Sequence, residues 1–342
     1  MSNWGEHGTV TAHRRRQAGL AALTTIVVAA GVLGIVVGAQ AIPLSGIWHA
    51  LVSPTGLPTD QIVTSLRLPR TVLCLAVGIA LGTAGALIQG HTRNPLADPG
   101  LLGLTAGAAL LVVISMYAFG LRNPDQYVWF ALAGSLVAGI VVFGVASVGG
   151  GNASPLNLAL AGAAITFGLQ ALTNALVLQD TFSLDGYRLW VVGSAAGRDI
   201  SVFWQVLPFL AVGLVLAVIN IPALNGLNLG DDVARSLGIN VAGARVIGLL
   251  SITLLAGAAT AACGPIAFIG LIVPHLARGW VGPDYRWLVP YSALLGGLTL
   301  LVADIVGRIV VAPAELHVGI VTALIGAPVF IALVRRKVPV AP

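Results

Sequence analysis

Apolar runs long enough to cross a membrane recur along the whole chain, from Leu20 to Val334, and no polar stretch between them could hold a separate globular domain. Hydrophobic residues make up 57% of the 342 residues and charged residues 8%, whereas about a quarter of the residues of a soluble domain are charged. The mean hydropathy is +0.97. The sequence therefore excludes a soluble protein and predicts an all-α, polytopic transmembrane helical bundle.

The apolar runs predict about ten spans and a single membrane domain. The domain is predicted at 18–336, after a polar tail at 1–17 and before a short tail at 337–342. The first run is too long for the apolar part of a signal peptide and lacks a small-residue cleavage site, so we expect it to remain as the first span. The predicted spans are 18–40, 61–90, 100–119, 127–149, 156–179, 201–221, 243–263, 264–278, 288–306 and 316–334. The Gly264-Pro265 pair is the predicted break between the seventh and eighth spans.

The distribution of basic residues predicts the orientation. Cytoplasmic loops of membrane proteins are enriched in lysine and arginine, and a cytoplasmic N-terminus places eleven of the 17 such residues on the inner side. Both termini are then cytoplasmic, the chain is multi-pass in the inner membrane, and its basic excess does not require nucleic acid as a partner. The eleven are Arg14, Arg15, Arg16, Arg93, Arg235, Arg245, Arg278, Arg286, Arg335, Arg336 and Lys337.

The chain carries no recognisable energy source of its own. Its only lysine is Lys337, so a phosphate-binding loop of the ATPase type cannot be formed. The central thirds of the spans contain no Asp, Glu, Lys or Arg, and Asp304 lies near the outer end of its span. Because ion-coupled carriers need such groups at mid-membrane, a motor on another protein is favoured over a gradient-driven carrier or channel, which remains the alternative.

Enzymatic and metal chemistry find little support in the sequence. The spans contain no pair of buried acids, no zinc-binding helix pattern, and no serine or cysteine nucleophile with a base partner, which disfavours an intramembrane enzyme. Cys74 and Cys263 both fall in apolar segments and predict neither a disulfide nor a metal cluster. His275 follows Pro274 without a second ligand at suitable spacing, so we expect a structural role.

The longest cytoplasmic connection, 224–245, contains a polar start, a short helical pattern and a terminal Gly238. This pattern is typical of a short helix at the membrane surface. Its acidic residue, small position and glycine resemble the coupling loop of ABC importer permeases, while an ordinary amphipathic connector is an equal alternative. The residues that carry the pattern are Asp231, Asp232, Ala234, Arg235 and Gly238.

Several longer motifs occur in one order between about residue 60 and residue 336. Together they resemble the FecCD-type permease family, whose members import ferric siderophores, haem or vitamin B12. The motifs are Arg67-Leu68-Pro69-Arg70, the run from Gln89 to Pro99, the run from Gly264 to His275, Gly319 to Thr322, and Gly326 to Phe330.

The resemblance implies a ten-helix, non-catalytic permease subunit that transports a ferric siderophore or a related metal chelate. It implies a homodimer or related heterodimer, two copies of a cytosolic ATP-binding subunit, and an extracytoplasmic substrate-binding protein. This chain would bind no cofactor, since ATP and Mg are used by the partner ATPase. The segment Asp231 to Gly238 would face that ATPase, and membrane lipid would surround the helices.

The resemblance also implies that Arg67, Arg70 and Arg308 contact the external binding protein. The predicted topology places all three on the outer side, where basic residues are disfavoured. Arginine is suited to bidentate carboxylate recognition, which fits such a contact. Snorkelling, or an internal pair between Arg308 and Asp304 four residues earlier, is the alternative.

The fifth span carries polar residues at spacings that place them on one helical face: Thr166, Gln170, Thr173 and Asn174. We predict that this face lines the translocation path, with Asn152 and Ser154 near an inner gate. Hydrogen bonding between helices, without a pathway, is the alternative.

Overall fold

The computed structural model of the chain describes residues 4–147, 154–312 and 314–335, and in these ranges every regular element is helical. A π-helical turn at Ile62–Arg67 and a 3-10 turn at Pro99–Leu102 accompany the α-helices. The α-helices are α1 (Trp4–Val36), α2 (Leu44–Val52), α3 (Pro58–Gln61), α4 (Leu68–Thr92), α5 (Leu104–Phe119), α6 (Pro124–Ala146), α7 (Pro155–Val177), α8 (Thr181–Val191), α9 (Ile200–Leu227), α10 (Asp231–Ser236), α11 (Val241–Cys263), α12 (Ile269–Val281), α13 (Tyr285–Ile309) and α14 (Val318–Arg335).

The helices confirm the predicted set of spans. In the described part of the chain, seven helical segments are long and apolar enough to cross a membrane, and α5, α12 and α14 are shorter apolar helices. Together they give the ten predicted segments in the predicted order. The break after Gly264 is also present, since residues 264–268 are not helical and α12 begins at Ile269.

Three features differ from the sequence-based prediction. α1 begins at Trp4, so the stretch predicted as a polar tail continues the helix of the first span. The second span begins earlier, at Pro58, and reaches Thr92 through the π-helical turn. The short helices α2 and α8 were not predicted, because neither is long enough to appear as an apolar span.

Helices α4, α11 and α13 form the buried centre of the bundle, and small residues permit their close approach. A Cβ at Gly78 would lie 2.4 Å from the carbonyl oxygen of Gly296, and one at Gly82 would lie 2.1 Å from that of Ser292. Gly78 and Gly82, four residues apart on α4, therefore both pack against the α13 backbone. Such close packing is common in membranes, where lipid provides no hydrophobic driving force for helix association.

The break between α11 and α12 depends on glycine geometry. Gly264 has a φ of 75°, and a Cβ there would lie 2.3 Å from the carbonyl oxygen of Trp190. The neighbouring Ser194 amide donates to the Cys263 carbonyl at 2.7 Å. The turn is thus fixed against the segment after α8, which explains why a glycine stands at this point.

Candidate functional site

The predicted coupling helix is present as α10, a short helix between the ends of α9 and α11. It begins after Gly230, whose φ is 112°, and is followed by Gly238, whose φ is 80°. Ala234 is fully buried and packs with Leu227 and Val241 at the ends of the flanking helices. The two glycines allow the reversals, while Ala234 fixes one face of α10 to the bundle.

Asp231 connects α10 to two transmembrane helices. Its Oδ2 accepts from Nη2 of Arg245 in α11 at 2.7 Å, and its Oδ1 accepts from Nη2 of Arg93 at the end of α4. Nε of Arg93 also donates to the Leu227 carbonyl at 2.9 Å. One carboxylate thus ties the start of α10 to α4 and α11, through charge-assisted hydrogen bonds.

The opposite face of α10 is open. The Asp232 side chain is 98% exposed and accepts from Arg235 at 2.7 Å, three residues later. The apolar side chains of Val233 and Leu237 are also exposed. The adjacent acids therefore have different surroundings, because Asp231 faces the bundle and Asp232 faces away from it.

Two of the predicted docking arginines bind the carbonyl end of α1. Arg67 donates through Nη1 to the carbonyls of Ile35 at 3.1 Å and Val36 at 2.7 Å, and its Nη2 contacts the Gln40 carbonyl. Arg308 donates to the Gly34 carbonyl at 2.6 Å. The carbonyls of Gly34, Ile35 and Val36 belong to the last turn of α1 and have no amide partner within the helix. The two arginines supply the missing hydrogen bonds, and their positive charge is favourable at the negative end of the helix dipole.

The third arginine joins a buried ion-pair network. Arg70 donates through Nε to Asp304 at 2.7 Å and through Nη1 to Glu315. The other oxygen of Asp304 accepts from Arg308, which is the internal pair that the sequence left as an alternative. Both carboxylate oxygens of Asp304 are therefore engaged, and its side chain is 1% exposed.

The outer arginines nonetheless share one opening. A cavity of about 200 Å³ is lined by all three, together with Glu315, whose side chain is 35% exposed. Arg67, Arg70 and Arg308 themselves are buried. Their contact with a binding protein stays a prediction, and a partner carboxylate that reached Arg70 would have to compete with Glu315.

The polar residues of α7 do not form one exposed face. Gln170 and Asn174 are exposed and Thr166 is half-buried, but Thr173 is buried and its hydroxyl donates to the Leu169 carbonyl at 2.8 Å. Thr173 therefore lies at the packed edge of the predicted face, and the role of this face in a path stays a prediction. The Thr173 hydroxyl is satisfied within its own helix, as threonines in helices often are.

The predicted inner gate can be located only in part. Asn152 lies outside the described residues. Ser154 is the N-cap of α7, and its hydroxyl accepts from the Asn157 amide at 3.1 Å. This contact gives Ser154 a local structural role, while its role at a gate stays a prediction.

Cys74 and Cys263 are free and fully buried. His275 is half-buried within α12. Among the residues that the structure describes, no group of three His, Cys, Asp or Glu side chains is placed to hold a metal ion.

Comparison with known proteins places this architecture in a family. The model of the FecCD transport family matches residues 26–336. The chain belongs to the FecCD transport family. It is 45% identical over 316 residues to the ferric enterobactin transport system permease protein FepD of Escherichia coli (strain K12), with 92% of this chain and 94% of that protein covered. It is 38% identical to the hemin transport system permease protein HmuU of Yersinia pestis, with 88% and 90% covered.

A solved structure supports the same assignment. An inward-facing structure of a transporter assigned to the metal-chelate ABC type aligns with a TM-score of 0.81 and 28% identity, covering 94% of this chain and 99% of that one. This FecCD-family chain is therefore a multi-pass permease subunit of the ABC importer type, and such subunits are not themselves catalytic.

Arg93 and Arg245 are the site residues that the sequence reasoning did not identify. They contributed to the predicted orientation as inner-side charges, but their pairing with Asp231 was not predicted. A signal was available, because both stand at inner helix ends and only a few acidic residues lie on that side of the predicted bundle.

Proposed function

We propose that this chain is the membrane-spanning subunit of an importer in the cytoplasmic membrane that carries ferric siderophores, or a related metal chelate such as haem or cobalamin. ATP hydrolysis on a separate subunit drives it. The observation that carries the proposal is the two-sided geometry of α10, with one face bound into the bundle and the other open to the cytoplasm. Relatives named for ferric enterobactin and hemin support the class of cargo.

The open face of α10 is the proposed contact for the ATP-binding subunit, which uses ATP and Mg. Exposed apolar and charged side chains stand together there, on Val233, Leu237, Asp232 and Arg235. A two-fold pair of permeases presents two such faces, and therefore takes two copies of the ATP-binding subunit.

Movement of α10 reaches the membrane through Asp231. Its two arginine partners lie at the inner ends of α4 and α11, which both belong to the buried centre of the bundle. A displacement of α10 by the ATPase would therefore act on these helices directly. Asp232 has no such connection, so the two acids have different proposed roles.

The exposed face of α7 is the proposed boundary of the translocation path and of the second permease, which is either a second copy or a related chain. Gln170 and Asn174 are exposed on this helix, and polar side chains are unfavourable against lipid. A two-fold partner or an aqueous path would satisfy them. We propose Thr166, Gln170 and Asn174 as the path residues that meet water, and the buried Thr173 as a packing residue at the edge of the same face.

Thiol labelling tests the path. Single cysteines at positions 166, 170 and 174 should react with a water-soluble reagent in the assembled transporter, whereas Thr173→Cys should not. The native Cys74 and Cys263 are fully buried and give little background. Equal protection of positions 166, 170 and 174 would contradict the path.

On the outer side, the opening lined by Arg67, Arg70 and Arg308 is the proposed docking point for the substrate-binding protein. Glu315 is the most exposed member of this charged group. An acidic side chain of the binding protein could replace it on Arg70, with arginine recognising either carboxylate in the same way.

Co-purification tests the central contact. The double variant Asp232→Ala/Arg235→Ala should retain the cognate ATP-binding subunit about tenfold less well, corresponding to about 1.4 kcal/mol. Asp185→Ala/Arg188→Ala is a matched control, because it removes another exposed Asp–Arg pair at the same three-residue spacing, on α8. Equal retention by both double variants would contradict attachment at α10.

The gradient-driven alternative finds no support at Asp304. This acid is buried in α13, but both of its oxygens are bound by arginine side chains. A proton or sodium relay needs a carboxylate that can exchange its partner, so Asp304 is better explained as a structural charge.

A further inference from the structure

A large groove lies on the surface of the bundle between α1 and α13, in the half of the bundle that is nearer the cytoplasm. Its volume is about 1180 Å³. The end of α12 closes one side. Its lining residues are Arg15, Arg16, Ala18, Gly19, Ala22, Leu23, Ile26, Gly279, Trp280, Val281, Tyr291, Leu295 and Leu298.

The groove has the length of one membrane leaflet. Ten residues separate Arg16 from Ile26 along α1, which corresponds to about 15 Å at a rise of about 1.5 Å per residue. The hydrocarbon core of a bilayer is about 30 Å thick, so the groove extends from the inner interface to about the midplane.

The chemistry of the lining changes along this length. Arg15 and Arg16 stand at the cytoplasmic end, where Arg15 is exposed and Arg16 half-buried. Trp280 is exposed beside them, and tryptophan is enriched at the level of lipid headgroups. Deeper in the groove the lining is apolar, with Leu23 and Leu295 at its buried base.

Specific contacts hold the walls in place. The Tyr291 hydroxyl donates to the Arg16 carbonyl at 2.7 Å and fixes α1 against α13. A Cβ at Gly19 would lie 2.4 Å from the same hydroxyl oxygen, so α1 and α13 are in close contact at the base of the groove. By contrast, nothing lies within 4 Å of a Cβ at Gly279, which faces the open space.

We propose that this groove binds one anionic phospholipid of the inner leaflet. Its phosphate lies between Arg15 and Arg16, and an acyl chain follows the apolar lining towards Ile26. Charge complementarity selects this occupant, because basic pockets between transmembrane helices on the cytoplasmic side bind anionic headgroups. A second copy of the chain would bring its own Arg14 to Arg16 cluster against this one if the contact were two-fold.

Native mass spectrometry of the full-length chain tests the site, using phosphatidylglycerol and phosphatidylcholine with the same acyl chains as probes. Phosphatidylglycerol should bind more tightly. Arg15→Gln/Arg16→Gln should lower its affinity about 30-fold, since each basic residue contributes about fivefold near an anionic headgroup. The charge-matched control Arg14→Gln/Arg286→Gln removes two exposed cytoplasmic arginines outside the groove and should have little effect.

A steric variant tests the apolar part independently of charge. Gly279→Leu should fill the groove and reduce phosphatidylglycerol binding, with unchanged thermal unfolding. Gly31→Leu is the control. A Cβ at Gly31 would also have nothing within 4 Å, but this residue lies on α1 beyond the groove.

Three results would overturn the proposal. One is equal binding of the two lipids, and another is an equal loss in both double-arginine variants. The third is unchanged phosphatidylglycerol binding by the Gly279→Leu variant. If that variant instead lost self-association, the occupant of the groove would be a second copy of the chain.

Discussion

Replacing Asp231 with asparagine removes the charge that holds α10 against α4 and α11, while the shape of the side chain is kept. The arginine partners differ in exposure. The Arg245 side chain is 8% exposed, whereas that of Arg93 is 39% exposed. The contact with Arg245 should therefore dominate, because solvent weakens the contact with Arg93.

The two contacts set the expected magnitude. A hydrogen bond to a charged group contributes about 1.5–3 kcal/mol, and an exposed ion pair about 0.2–1 kcal/mol. The asparagine keeps an acceptor for one arginine, so the expected loss is about 2 kcal/mol, or about 30-fold in the opening equilibrium of α10. Asp232→Asn is the matched control, and its exposed pair with Arg235 should contribute about 0.3–0.5 kcal/mol.

Amide hydrogen exchange measures this opening directly. Exchange of the α10 amides should accelerate about 30-fold in Asp231→Asn and about twofold in Asp232→Asn. In reconstituted transporters, Asp231→Asn should keep the ATP-binding subunit but consume more ATP for each cargo molecule imported. Equal protection of α10 in the two variants would refute the assignment of Asp231 as the connection to the membrane helices.

Three further substitutions have defined expectations. Gly238→Ala should lower the free energy of unfolding by about 1–2 kcal/mol, because Gly238 has a φ of 80°. An unchanged midpoint of thermal unfolding would contradict this. Arg308→Gln should destabilise by about 1.5–3 kcal/mol, since buried Asp304 loses one charged hydrogen bond but keeps Arg70. Thermal unfolding in detergent measures this change, and a shift as small as that of an exposed arginine would refute it. Gly85→Ala should lower the free energy of unfolding by about 1–3 kcal/mol, because the new Cβ would lie 1.9 Å from an α12 carbonyl oxygen. Gly31→Ala is the control and should be neutral or stabilising in the same thermal unfolding assay, so equal midpoints for the two variants would contradict the prediction.

The sequence predicted the spans well because each one is a local property of hydropathy and length. Even the short α12 was expected, from the glycine and proline that precede it. The helices α2 and α8 were missed because neither is long enough to be recognised as a span. The helical start of α1 was missed because polar residues at 4–16 match a tail as well as a helix.

The site was predictable only where the pattern is local. The short helix at Asp231 follows from its own residues, but its partner Arg93 is 138 positions away, and pairings of that kind depend on the packed bundle. The outer side shows the same limit. Arg67 and Arg308 both lie at the C-terminal end of α1, in agreement with the predicted topology, yet their contacts with that helix end could not be read from charge alone.

Uptake by purified components tests the source of energy most directly. Proteoliposomes should contain this chain and its permease partner, with the cognate ATP-binding subunit and substrate-binding protein, and a radiolabelled ferric siderophore should be supplied on the binding-protein side. Uptake should require ATP and should stop when the ATP-binding subunit is omitted, even under an imposed proton or sodium gradient. Uptake driven by such a gradient through the permease alone would contradict it.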